Sequence, residues 1–278
     1  MNYIVSHEWL AERLDHDNVR IIDCRFYLND PTRGLNEHRK DHLPFALYFD
    51  LEKDLSAPVG KHGGRHPLPP VEELAEKLSA AGIDETVTVV AYDDQDGAMA
   101  SRCWWLLRYL GHERVYVLDG GYTKWKEAGY PVTAEVAAVK PRSFQPRPQP
   151  SWLATVDDVR RAVQESSAII IDSREWKRYA GIEEPIDRIA GHIPGALHMF
   201  WKDCVTDEGY WKSPQEQAER FSAIKKDAPI IVYCGSGVTA CPNVLALKEA
   251  GYTNVRLYAG SWSDWISYPE NPIATGEK

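Results

Sequence analysis

The chain has 278 residues, 44% of them hydrophobic, and a formal charge of −9. That length suits two domains with ample core, and the negative balance argues against a nucleic-acid binder held by phosphate contacts. No apolar run approaches the ~18 residues of a membrane span, and the five cysteines are scattered, odd in number and without a CxxC pair, so neither a disulfide framework nor a zinc site is expected.

In chain order, MNYIVSHEWLAERL reads as the start of a domain and not as a signal peptide. Reduced thiols then point to the cytoplasm. RIID (20–23), within VRIIDCRF, is strand-like, and DHLPFALYFDL follows at 41–51. GKHGGRHPLP (60–69) is a Gly- and Pro-rich loop carrying His62, Arg65 and His66, placed either at a domain interface or on the surface. VEELAEKLSAAG and AMASRCWWLLRYLG read as helices ending in Gly, and VTVVAY and RVYVLD as strands. Residues 136–151 hold four prolines between 141 and 150 and form an extended connector. Beyond it AIIID, PIIVY and NVRLYAG read as strands and ACPNVLALKEAG as a helix. Strand–helix alternation predicts an α/β fold with parallel sheets flanked by helices on both faces. The tryptophans, as in CWWLL, read as core.

The chain is written twice. Asp23 and Asp172 lie in similar strands 149 residues apart, His42 and His192 in similar H-[IL]-P segments 150 apart, and Trp125 and Trp265 in similar C-terminal stretches 140 apart. The expected domains are 1–135 and 152–278, with 136–151 as the linker.

The chemistry is expected at IIVYCGSGVTACP (230–242). Cys234 ends a strand and precedes a helix, where unpaired N–H groups and the helix dipole favour a thiolate. Gly235 and Gly237 let the loop turn tightly around the sulfur, and Ser236 and Thr239 offer hydroxyls. Cysteine phosphatases share the layout but need Arg six residues after the thiol; here that residue is Ala240. In the first copy the aligned residue is acidic, Asp93 or Asp94.

Taken together, the tandem copies, the D-x-R after the first strand of each, the paired H-[IL]-P segments and the loop CGSGVT resemble the two-domain rhodanese sulfurtransferases. The loop is similar to the 3-mercaptopyruvate branch; thiosulfate-preferring members typically carry basic side chains where Gly235 and Ser236 stand. The resemblance implies two tandem rhodanese-like domains, the first non-catalytic, and a double displacement through a Cys234 persulfide with no metal or organic cofactor. Its donor would be a small anion, 3-mercaptopyruvate or alternatively thiosulfate, and its acceptor cyanide, a thiol or thioredoxin. A monomer would suffice. Arg174 is implied as the substrate arginine, with Arg178 and Arg188 as further candidates beside Gly235, Gly237, Val238 and Thr239. A Ser–His–Asp arrangement is implied for proton movement, with Ser236, His42 and Asp30 the matching residues. A non-catalytic sulfur carrier or binding protein is the alternative from another class. Cys241 reads as packing or as a redox partner; Cys24, Cys103 and Cys204 read as packing.

Overall fold

The computed structural model describes residues 2–276, so residues 1, 277 and 278 of the expected domains lie outside the described residues. Each half of the sequence forms one five-stranded sheet. The first contains β1 (Ile4–Val5), β2 (Val19–Asp23), β3 (Ala46–Tyr48), β4 (Thr88–Tyr92) and β5 (Val115–Leu118), in the order β1-β5-β4-β2-β3. The second contains β6 (Leu153–Ala154), β7 (Ile169–Asp172), β8 (Leu197–His198), β9 (Ile230–Tyr233) and β10 (Val255–Tyr258), in the order β6-β10-β9-β7-β8. Every neighbouring pair is parallel. The α/β fold expected from the alternation is therefore present twice, with the same strand permutation.

The inner strands are unbroken apolar runs, IIVY in β9 and TVVAY in β4, because helices cover both faces. The edge strands β1, β3, β6 and β8 escape the sequence reading. Two or three residues of ladder carry no period to detect. Helices Val71–Ala80, Ala98–Tyr109 and Cys241–Glu249 fill the three expected patterns. Gly82, Gly111 and Gly251 follow their caps at φ of 68°, 82° and 86°, the left-handed turn that ends a helix.

Residues 134–149 carry no helix or strand. They run extended along the first half, where Arg142 N donates to Ser79 O (2.9 Å), Arg147 N to Leu110 O (2.9 Å) and Gln149 N to Tyr109 O (2.7 Å). The connector is thus strapped down and not free. Helices Ala98–Tyr109 and Cys241–Glu249 pack on each other between the sheets. Both are buried on every side, as a helix between two layers must be. Trp104, Trp105, Val244 and Leu247 belong to one apolar cluster that runs through both halves. Among the described residues no helix is long and apolar enough to cross a membrane.

Candidate active site

Cys234 follows β9 directly and is 1% exposed. Its amide donates to Ser261 Oγ (3.1 Å), its carbonyl accepts from Trp262 N (2.9 Å), and the Gly235 carbonyl accepts from Ser263 N (2.9 Å). These three bonds fix the loop on helix Ser261–Trp265. Gly237 N then points at the Cys234 sulfur at 3.2 Å, the expected cradling N–H. Gly237 has φ of 77°, and a Cβ there would stand 2.1 Å from Ala259 O, so no other residue fits. Helix Cys241–Glu249 begins behind the loop with Ala240 as its cap. Val238 is buried in the apolar cluster and Thr239 is half-buried.

The first half reaches over this loop. In residues 60–69, Gly63 N donates to Asp264 Oδ1 (2.7 Å) and Arg65 N to Ser263 Oγ (3.1 Å). His62 shares a hydrogen bond with Ser267 Oγ (2.7 Å) and stacks on Tyr268 at 4.1 Å. This docking brings His66 Nδ1 to 2.8 Å from Ser236 Oγ, both residues buried. Burial first, then the charges of Arg102 and Arg65, push the His66 imidazole down to about 3, so it is uncharged at neutral pH.

Arg102 lies inside helix Ala98–Tyr109 and is fully buried. Its Nη1 donates to Gly237 O (3.1 Å) and its Nη2 to His66 O (3.2 Å) and Leu55 O (3.4 Å). One guanidinium therefore ties the thiol loop to the His66 loop, and burial pulls its pKa down from the ordinary arginine value. Cys241 bonds through its sulfur to Gly237 O (3.3 Å), and burial pushes its thiol well up.

The arginines sort by exposure. A Cβ on Gly235 would lie 2.8 Å from Arg65 Nη2 and 3.2 Å from Arg178 Nη2, so both guanidiniums stand over the residue after the thiol. Arg188 bonds the Ile266 carbonyl. It lines, with Lys61, Arg65, Asp187, Ser263 and Ser267, a pocket of about 470 Å³ at the same mouth.

Arg174 is placed differently from the expectation. It is 2% exposed, and its nitrogens are engaged by Asp172 (2.6 Å), Glu184 (3.2 Å) and the Gly191 carbonyl (2.6 Å). Arg25 makes the same pair with Asp23 (2.6 Å) and bonds the Asp41 carbonyl (2.7 Å) in the half without a thiol. In this structure the D-x-R arginine of each half is a buried strut that pins the loop after its strand.

His42 is also a strut. Its ring nitrogens meet the carbonyls of His38 (2.6 Å) and Glu135 (3.1 Å), and it stacks on His38. His192 repeats the arrangement on Tyr179 (2.8 Å). Asp30 is exposed and accepts from Thr32 N (3.2 Å) and Oγ1 (2.8 Å). Neither joins Ser236, whose partner is His66. Two residues were missed in sequence, Arg102 and Asp187. The lone charge of Arg102 in AMASRCWWLL was the available signal.

The rhodanese-like domain family matches residues 6–128 and 155–268. A probable 3-mercaptopyruvate sulfurtransferase of Pseudomonas aeruginosa is 44% identical, covering 99% of this chain and 98% of that one. A thiosulfate sulfurtransferase of Bos taurus is 33% identical, covering 99% and 96%. The crystal structure of a 3-mercaptopyruvate sulfotransferase from Escherichia coli superposes with a TM-score of 0.80 at 34% identity, covering 95% of this chain and 100% of that one. The chain therefore belongs to the rhodanese family, as a sulfurtransferase built from two rhodanese-like domains.

Proposed function

We propose that this sulfurtransferase takes its sulfur from 3-mercaptopyruvate and passes it through a persulfide on Cys234. The Cys234 thiolate attacks the donor sulfur; the carbon–sulfur bond breaks and leaves the enolate of pyruvate, which must take up a proton. The outer sulfur then leaves Cys234 for a thiophilic acceptor, cyanide, a thiol or thioredoxin, restoring the thiolate.

The observation that carries this reading is the Ser236–His66 hydrogen bond beside the thiol. An enolate is a strong base and needs a hydroxyl at hand; sulfite, the leaving group from thiosulfate, is a weak base and needs none. Gly235 supports the same reading. It adds no charge of its own and leaves room for Arg65 and Arg178 to meet a carboxylate from either domain. The domain spanning 1–135 then acts as a partner that supplies His66, Arg65 and Arg102, and the domain spanning 152–278 carries the thiol. Because one chain provides both walls of the cleft, a monomer suffices. Five cysteines without a disulfide suit the cytoplasm.

The test is steady-state sulfur transfer to cyanide from 3-mercaptopyruvate and from thiosulfate at matched concentrations, with Cys234→Ser as the blank. The expected kcat/KM ratio favours mercaptopyruvate by about a hundredfold, roughly 2.7 kcal/mol of discrimination. A ratio near one assigns thiosulfate as an equal donor. No transfer from either donor moves the protein to the sulfur-carrier reading.

A further inference from the structure

Two acidic side chains sit among the arginines over Gly235, and they are held differently. Glu184 is fixed. It accepts from Arg178 Nε (2.8 Å) and Arg174 Nη1 (3.2 Å), and from the backbone N–H groups of Ile186 and Asp187 (3.1 Å each). Among the described residues, the Asp187 side chain bonds only to the two mouth arginines. Its Oδ1 accepts from Arg65 Nε (2.9 Å), and its Oδ2 from Arg65 Nη2 (3.3 Å) and Arg178 Nη2 (2.9 Å). The carboxylate is 3% exposed, yet it rides on a segment without helix or strand whose Ile182 and Ile186 are 65% and 43% exposed. Arg65 and Asp187 belong to different domains and meet over the first residue after the nucleophile.

We propose that Asp187 is an internal occupant of the donor's carboxylate site, holding Arg65 and Arg178 together until a small monoanionic ligand displaces it. Arg65 is then a specificity-determining residue supplied by the first domain. The site selects a carboxylate because two planar guanidiniums already bracket one. Displacement is local. The Asp187 side chain swings out, while Glu184, bonded to the Ile186 and Asp187 amides, keeps the backbone, Arg178 and Arg174 in place. The inference rests on the assignment of this cleft as the donor site, but not on which donor is preferred.

The test uses two alkylating agents of similar size, anionic iodoacetate and neutral iodoacetamide, each forming a carbon–sulfur bond at Cys234 with loss of iodide. Cys234→Ser gives the blank. In Asp187→Asn the iodoacetate-to-iodoacetamide rate ratio rises roughly fivefold, the size expected for one partly screened ion pair. In Arg65→Gln the ratio falls by a similar factor. The KM for the anionic donor moves in the same directions. An unchanged or lowered ratio in Asp187→Asn overturns the proposal and makes Asp187 a strut for the arginines. Should that variant fail to fold, Arg65→Gln decides alone, since an unchanged ratio there removes the site. If the ratio behaves as expected while thiosulfate outperforms mercaptopyruvate, the donor assignment falls and this site stands.

Discussion

Asp93 and Cys234 occupy the same place in the two sheets. Asp93 follows β4 as Cys234 follows β9, its carbonyl accepts from Tyr122 N (2.8 Å) as that of Cys234 accepts from Trp262 N (2.9 Å), and each is buried. Two loop amides and two from the first turn of helix Ala98–Tyr109 converge on the Asp93 carboxylate: Gln95 N (2.8 Å) and Gly97 N (2.9 Å) on Oδ1, Met99 N (2.7 Å) and Ala100 N (2.8 Å) on Oδ2. The first domain thus fills with a fixed carboxylate the anion cradle that the second domain offers to sulfur. Of the two aligned acids, Asp93 is the counterpart and Asp94 lies beyond it, bonded by the Tyr27 hydroxyl.

Asp93→Asn should cost about 2–4 kcal/mol, because an amide NH₂ in place of Oδ2 strands two buried N–H donors. Burial pushes the Asp93 carboxyl up to about 6 from 3.8. The folded chain therefore keeps a proton that the unfolded chain has lost, and stability falls as pH rises between about 4 and 6. His66 contributes the opposite slope over the same range, so the expected outcome is a difference: by urea unfolding, Asp93→Asn gains stability relative to the parent as pH rises from about 4 to 6.

Ser236→Ala and His66→Gln should each lower mercaptopyruvate turnover by roughly 10²–10⁴, the range of a positioned proton-transfer group. Alkylation of Cys234 by iodoacetamide needs no such proton and should hold its rate. The His66 ring, pushed down to about 3 from 6.5 by its burial, places no step in the activity profile between pH 5 and 8. Its effect on stability has the opposite sense to that of Asp93. The unfolded chain takes up a proton below about 6.5 and the folded chain does not, so stability is lost as pH falls from there. His66→Gln should flatten that part of the acid limb.

Arg102→Met keeps the volume and removes both the charge and the donors to Gly237, His66 and Leu55. Buried carbonyls left without partners cost about 1–3 kcal/mol each. We expect slower alkylation of Cys234 as well as a lower urea midpoint. Arg102→Lys should recover only part of the rate, since an ammonium cannot span carbonyls from three segments. Normal alkylation in both variants would reduce Arg102 to a core anchor.

Arg174→Met should behave as a stability variant. Removing one side of a buried pair costs about 3–5 kcal/mol, here with Asp172 and Glu184 left behind. In the folded fraction the KM for the donor should be that of the parent. A large rise in KM at unchanged stability would restore Arg174 as a substrate residue.

The sheets were legible because their inner strands spell out apolar runs, and Cys234 was legible because a thiol between a strand and a Gly-rich loop has few other uses. What the sequence hid were partners chosen across the domain interface. The H-[IL]-P motif drew attention to His42, yet a histidine repeated as His192 in the other copy was already a sign of scaffolding, and so was a D-x-R repeated at Arg25. His66 belongs to no repeated motif. It becomes the partner of Ser236 only through the docking of Gly63, Gly64 and Arg65 on residues 260–268, which no local pattern encodes. Gly64, at φ of 80° with a would-be Cβ 2.3 Å from Gly260 O, shows how close that approach is.

The apolar cluster shared by helices Ala98–Tyr109 and Cys241–Glu249 has a consequence for inheritance. Most duplicated domains remain separable cassettes that can be shuffled, lost or recombined. Here the seam between the copies is itself core, and the half without the Cys234 thiol carries the Arg102 guanidinium and the His66 imidazole that bond to the loop of the other half. Two copies of one unit now share part of their core, so separating them would expose that shared cluster and leave each half only the smaller cluster it holds alone.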